Sequence, residues 1–241
     1  MMERYRKYMI GVLAVLAGIL IFAAQSFAHH LWVQEIENNY AVCRGNIGKR
    51  LDAYNPSCVK QITAENADGN EILIARADGK EQAFFTTKVK PALVSVISEW
   101  GDRVLTTQGK KFMNRQTAEA QGFRVLNAFT STQFSKTLCA PSKVNSRVRG
   151  LKFELVPVSD PMTAIPGTSL AFQLLFEGQP LEGISIFTNH GYEYKTDAKG
   201  MVQIPFEKGV QLLYAIHKIP AGEDFGLDFL KFMTSVTFEV K

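Results

Sequence analysis

Tyr192-Glu193-Tyr194-Lys195-Thr196-Asp197-Ala198-Lys199-Gly200-Met201-Val202-Gln203-Ile204-Pro205 reads as two short strands, Tyr192 to Thr196 and Met201 to Pro205, joined by a four-residue turn. Gly200 suits the left-handed position after a type I turn, because a residue without Cβ reaches positive φ at no steric cost. Outward from this hairpin the same pattern repeats. Lys152 to Val158, Ser169 to Phe176, Gly183 to Thr188, Gln211 to His217 and Thr234 to Val240 are β-branched or aromatic runs separated by turn residues such as Glu177-Gly178-Gln179-Pro180. About seven short strands between regular turn signals predict an immunoglobulin-like or transthyretin-like β-sandwich over residues 150–241.

Before Gly150 the polar and basic stretch from Pro141 to Arg149 reads as a connection, and ahead of it lies a second mainly β unit, residues 29–149. Its predicted strands are Trp32 to Ile36, Gln61 to Ala64, Glu71 to Arg76, Ala83 to Thr87, Ala92 to Ser98 and Arg103 to Thr107. Asp68-Gly69 and Asp78-Gly79 supply hairpin turns between neighbours. Asn114 to Leu126 is the exception: Gln116-Thr117-Ala118-Glu119-Ala120 favours a short helix, which Gly122 weakens. The predicted fold class is therefore all-β, two sandwich-like units with one short helix in the first.

The amino terminus has the form of a secretory leader. Arg4, Arg6 and Lys7 precede an apolar run from Ile10 to Ala24, short for a membrane span, and Ser26 and Ala28 fit a small-x-small cleavage site. Residues 1–28 are thus a predicted signal peptide, cut between Ala28 and His29, which places the chain in the periplasm; an uncleaved anchor is the alternative. The whole chain has 27 Lys and Arg against 23 Asp and Glu, a net +4; without residues 1–28 the counts are 24 and 22, a net +2. With no basic run longer than a pair such as Lys110-Lys111, a nucleic-acid or anionic-lipid partner is not indicated.

Three cysteines in an exported chain suggest one disulfide and one spare thiol. Cys43 and Cys58 would close a loop of about 15 residues, worth roughly 3 kcal/mol in the chain-entropy model. Cys139, in the apolar stretch Thr137-Leu138-Cys139-Ala140, reads as a buried thiol, with metal ligation the lesser alternative.

Cleavage after Ala28 would begin the chain at His29-His30-Leu31-Trp32. A terminal histidine offers an α-amine and an imidazole from one residue, and both titrate low enough to be available to a metal near neutral pH. His30 adds a third nitrogen, and His217 a fourth if the first strand lies beside the penultimate one. Such a nitrogen-rich set suits nickel, cobalt, copper or zinc, whereas magnesium and calcium prefer oxygen. The predicted metal ligands are His29, His30 and His217. His190, in Asn189-His190-Gly191, reads as a hairpin tip, and Glu223, Asp224 and Asp228 as a solvated acidic loop. The competing reading of His29 and His30 is a mobile terminus, and of His217 a hydrogen-bonded structural histidine.

The segments Leu151 to Pro161, Phe176-Glu177-Gly178-Gln179-Pro180-Leu181-Glu182-Gly183 and Thr196 to Gly200, with His29-His30-Leu31-Trp32-Val33 at the start and His217 on the penultimate strand, carry a resemblance. The chain resembles exported NikM-like proteins of the domain of unknown function 4198 type, which are grouped with nickel and cobalt uptake. The likeness covers most of the mature chain, is most specific from Gly150 to His217, and is loose from Tyr40 to Lys143. It implies a periplasmic protein that binds nickel or cobalt and hands it to a membrane transporter.

No Gly-x-Ser-x-Gly elbow, His-Glu-x-x-His helix or glycine-rich phosphate loop is present, so an enzyme is not predicted. Two other classes stand beside the transport reading: a copper oxidoreductase that holds its metal in an amino-terminal histidine brace, and a structural or adhesive sandwich without metal.

Overall fold

The computed structural model describes residues 29–37, 39–222 and 226–241. The expected leader, residues 1–28, lies outside the described residues, as do Glu223 and Asp224. In chain order the strands are β1 (His30–Ile36), β2 (Asn39–Asn46), β3 (Arg50–Leu51), β4 (Val59–Glu65), β5 (Ile74–Asp78) and β6 (Ala83–Thr87). Next come β7 (Leu93–Thr106), β8 (Gly109–Lys111), the helix α1 (Arg115–Ala120) and β9 (Val125–Leu138). Beyond Gly150 lie β10 (Phe153–Pro157), β11 (Ser169–Phe176), β12 (Gln179–Pro180), β13 (Ser185–Thr188) and β14 (Glu193–Lys195). The chain closes with β15 (Met201–Pro205), β16 (Gly209–Pro220) and β17 (Phe229–Val240).

These strands make an all-β, sandwich-like protein of three sheets, with one α-helix among the described residues. A five-stranded sheet runs β1-β2-β6-β5 with β3 on β2, and a four-stranded sheet runs β10-β11-β12 with β15 on β11. An eight-stranded sheet, β14-β13-β16-β17-β9-β7-β4 with β8 on β7, packs between them. Its two faces bury different cores, because successive side chains of a strand point to opposite sides. Phe134 and Leu138 of β9 and Leu213 and Ala215 of β16 meet Phe153, Leu155, Phe172 and Leu174 of the four-stranded sheet. On the other face Val94 and Val96 of β7 meet Leu31, Val42 and Phe85 of the five-stranded sheet. The middle sheet draws strands from both sides of Gly150, with β17 running parallel to β9.

The sequence reading did not include β9, whose alternation lacks a polar, solvent-facing side. Its face toward β1 carries Gln133, Ser135 and Thr137, and these side chains satisfy the free edge of β1. Gln133 Nε2 donates to the His29 carbonyl at 3.0 Å, Ser135 Oγ to the Leu31 carbonyl, and the Val33 N–H donates to Thr137 Oγ1 at 2.9 Å. An edge strand needs such partners, since a buried unpaired backbone group costs about as much as a lost hydrogen bond. On its opposite face β9 presents Lys136, whose Nζ lies 2.8 Å from Glu154 Oε1 with side chains 0% and 1% exposed.

Three other expectations are corrected. Ala92 to Ser98 and Arg103 to Thr107 are one strand, β7, because a bulge between Glu99 and Asp102 absorbs the polar interruption, with Gly101 at φ 62°. The helix expected over Asn114 to Leu126 is only α1: the Asn114 side chain caps it by accepting from the Thr117 N–H at 2.8 Å, and Gly122 at φ 80° ends it. The Cys43–Cys58 disulfide is absent, and all three cysteines are free. Alternation is the reason: Cys43 packs with Trp32 and Ala41, whereas Cys58 and Cys139 pack against the core on the opposite side of β2.

Candidate metal centre

The structure places His29 and His30 at the start of β1, with their rings on different partners, and separates His217 from both. His29 directly precedes β1, and its carbonyl is held by Gln133. Its ring, 41% exposed, contacts the carboxylate of Asp52 through Nδ1, while the Asp52 side chain is only 7% exposed. Asp52 is held in turn by its own N–H donating to the Arg44 carbonyl at 2.8 Å and by Arg50 Nε at 3.0 Å, with Arg44 Nη1 at 3.7 Å. A carboxylate on Nδ1 fixes the tautomer with the proton there and leaves the Nε2 lone pair free, the arrangement that supports metal-binding histidines.

His30 is buried. Its ring lies on Tyr214 of β16 with centroids 4.1 Å apart, and its Nδ1 has no hydrogen-bond partner among the described residues. Burial, together with the neighbouring His29 and Lys231, pushes its pKa down to about 3, so the ring is neutral at physiological pH. A neutral imidazole with an unused nitrogen keeps its capacity as a ligand.

His217 does not join them. Tyr214 and His217 differ by an odd number of residues on β16, so they project from opposite faces of the eight-stranded sheet. The His217 ring packs on the far side, edge-on to Phe176 at 4.8 Å and tilted over Phe153 at 5.9 Å. Burial lowers its pKa as well. The expected alignment fails because β1 pairs with β2 in a different sheet and only crosses β9 and β17. The face of His217 also holds the fully buried Leu213 and Ala215.

His190 is exposed in the turn between β13 and β14, as its flanking Asn and Gly suggested. Burial pushes the Cys139 thiol up to about 12, which leaves it protonated and a poor ligand. Among the described residues no group of three His, Cys, Asp or Glu side chains converges as a metal site. Two clefts of about 610 and 620 Å³ contain no histidine. Asp52 escaped sequence reading because nothing in Leu51-Asp52-Ala53 marks it; only the pairing of β2 with β3 carries it back to the start of β1.

A family described as Domain of unknown function (DUF4198) matches residues 26–219. No curated protein matches the chain.

Proposed function

The chain belongs to the DUF4198 family, and from that premise we propose that it is a periplasmic transition-metal-binding protein of the NikM-like kind, the binding component for nickel or cobalt uptake. The observation that carries this reading is the contact of the His29 ring with the nearly buried Asp52 carboxylate; the next residue, His30, has an unused Nδ1. Cleavage after Ala28 would add an α-amine on the same residue, so the terminus would offer amine and imidazole nitrogens while the Asp52 carboxylate orients the ring. Borderline nitrogen donors with one carboxylate suit nickel, cobalt, copper and zinc. His217 has no part in this version of the site; Asp52 takes its place.

Arg50 and Arg44 share Asp52 and oppose a second cation. Arg50, 77% exposed, is free to swing into solvent when metal arrives. In this reading the protein serves as a carrier. A membrane transporter is the proposed recipient.

The test is calorimetric titration of exported, processed protein with Ni²⁺, Co²⁺, Cu²⁺ and Zn²⁺. Asp52→Asn and one extra residue ahead of His29 should each weaken binding tenfold or more, and His217→Ala should leave it unchanged. Unaltered affinity in the extended protein would defeat the terminal-amine site. Tight copper binding with oxygen consumption in the presence of reductant would favour a copper oxidoreductase, and no binding at all a purely structural role.

A further inference from the structure

Beyond the start of β1 no described strand of the five-stranded sheet roofs the eight-stranded one, and on that part several side chains are cationic. Lys218 of β16 and Lys231 of β17 are direct cross-strand partners. Lys231 pairs with Ser131 of β9, two residues from Phe129, and Phe129 pairs with Arg103 of β7. Lys110 of β8 pairs with Leu105, again on the same face. Arg44 of β2 stands at the rim, its guanidinium 4.5 Å from the Trp100 ring centre. Five cations from five strands thus look onto one surface. Among the described residues only Arg44 makes an ion pair, the long one to Asp52.

Like charges directly opposite on neighbouring strands destabilise a sheet. Lys218 and Lys231 persist there, and Lys231 is half-buried, its pKa pushed down to about 8 by burial and by Lys110 and Lys218. A local conflict of this kind marks a functional site more often than a structural one.

A second observation points the same way. Buried polar atoms without a partner among the described residues cluster at this edge: Arg44 Nε, the Trp100 indole N–H, Ser98 Oγ and Gln133 Oε1. Ser98 and Gln133 are cross-strand partners, and Trp100 follows Ser98 by two residues. Three of these four are donors or can donate, which is what an incoming oxyanion requires. Aromatic rings line the floor. Phe129 and Phe229 stack at 4.9 Å, and Lys218 Nζ lies 4.9 Å above Phe229.

We propose that this uncovered end of the eight-stranded sheet, formed by Lys218, Lys231, Arg103 and Lys110 with Arg44 at its rim, binds a small soluble ligand bearing two or more oxyanionic groups. Spaced lysines and arginines match several carboxylate or phosphate groups, whereas a monoanion would neutralise only part of the cluster. The site goes beyond the metal reading and stands without it.

Calorimetric titration of the exported protein, with no metal added and at constant ionic strength, tests this with citrate, pyrophosphate and acetate as probes. Citrate or pyrophosphate should bind at least tenfold more tightly than acetate, and the tighter of the two identifies the oxyanion as carboxylate or phosphate. The Lys218→Gln/Lys231→Gln protein, with its fold checked by circular dichroism, should lose tenfold or more of that affinity. Lys110→Gln, at an exposed position, should lose about threefold through the weaker field alone. Oligoanions that bind no better than acetate, or variants that bind as the parent does, would overturn the site.

Discussion

On the side of the eight-stranded sheet that meets β10 and β11, the cation Lys136 is matched by Glu154, whose carboxylate also accepts from the Arg149 and Leu151 N–H groups. On the opposite side, past the start of β1, Lys218, Lys231, Arg103 and Lys110 share one face, and none of them has a carboxylate partner among the described residues. The same sheet, built from the same strands, treats charge in two ways. Where a second sheet covers it, an ion survives only when paired and hydrogen-bonded, because desolvation would otherwise dominate. Where no described sheet covers it, unpaired like charges can accumulate at moderate cost, and they stay available to a ligand.

The sharpest way to break this comparison is to unpair the covered ion. Glu154→Ala leaves Lys136 buried without its counter-charge and should cost about 3–5 kcal/mol in urea denaturation. Replacing both, Lys136→Met with Glu154→Leu, should recover most of that loss. A single variant within about 1 kcal/mol of the parent would show that the covered face tolerates free charge after all.

Next in size is the pH dependence. The His30 pKa falls from 6.5 unfolded to about 3 folded, so between these values the unfolded chain binds more protons. Stability is therefore complete above pH 6.5 and is lost as the pH drops toward 3, at about 1.4 kcal/mol per unit. From pH 6.5 to 4.5 the loss from this residue should reach about 3 kcal/mol, and His30→Phe should flatten the profile over that range. His217 shifts in the same direction, so His217→Phe should flatten it too. An unchanged profile in His30→Phe would show that His30 can protonate in place.

Smaller still, and opposite in sign to the first, is relief of the uncovered cluster. Lys218→Gln should raise stability by roughly 0.2–1 kcal/mol, the scale of a cross-strand pair, and should raise the melting temperature. A fall would mean that the two ammonium groups already share a partner. The smallest effect is none: with the cysteines free, reducing agent should not change the denaturation midpoint, and all three thiols should react with a thiol reagent on unfolding.

Much of the fold was legible. Met201 to Pro205 and Ser169 to Phe176 are strands over the residues their patterns mark, and Asp197 to Gly200 makes the turn its glycine requires, with Gly200 at φ 68°. What escaped was structure whose cause lies elsewhere in the chain. Gln133, Ser135 and Thr137 look like solvent-facing residues, yet they are buried because β1 lays its free edge on them. Cys43 and Cys58 are well spaced for a bridge, but the pleat of β2 turns Cys43 away from the core against which Cys58 packs.

The candidate site divides the same way. Its proposed chemistry, a histidine pair that cleavage of the expected leader would expose, is local and comes from His29-His30. Its completion was not, because which residue meets His29 depends on strand pairing between distant segments: β3 brings Asp52, while the parity of β16 sends His217 through to the other face. The basic cluster shows the limit most clearly. Arg44, Arg103, Lys110, Lys218 and Lys231 are scattered through a chain of modest net charge, and no run among them suggested an anionic partner. By itself the sequence determined the strands, the turns and the kinds of ligand atom available, since backbone preference and side-chain chemistry act over a few residues. Only the tertiary structure decided which of those atoms share a face, because a side chain's side of a sheet is set by register and pleat, and register is fixed by partners far away in the chain.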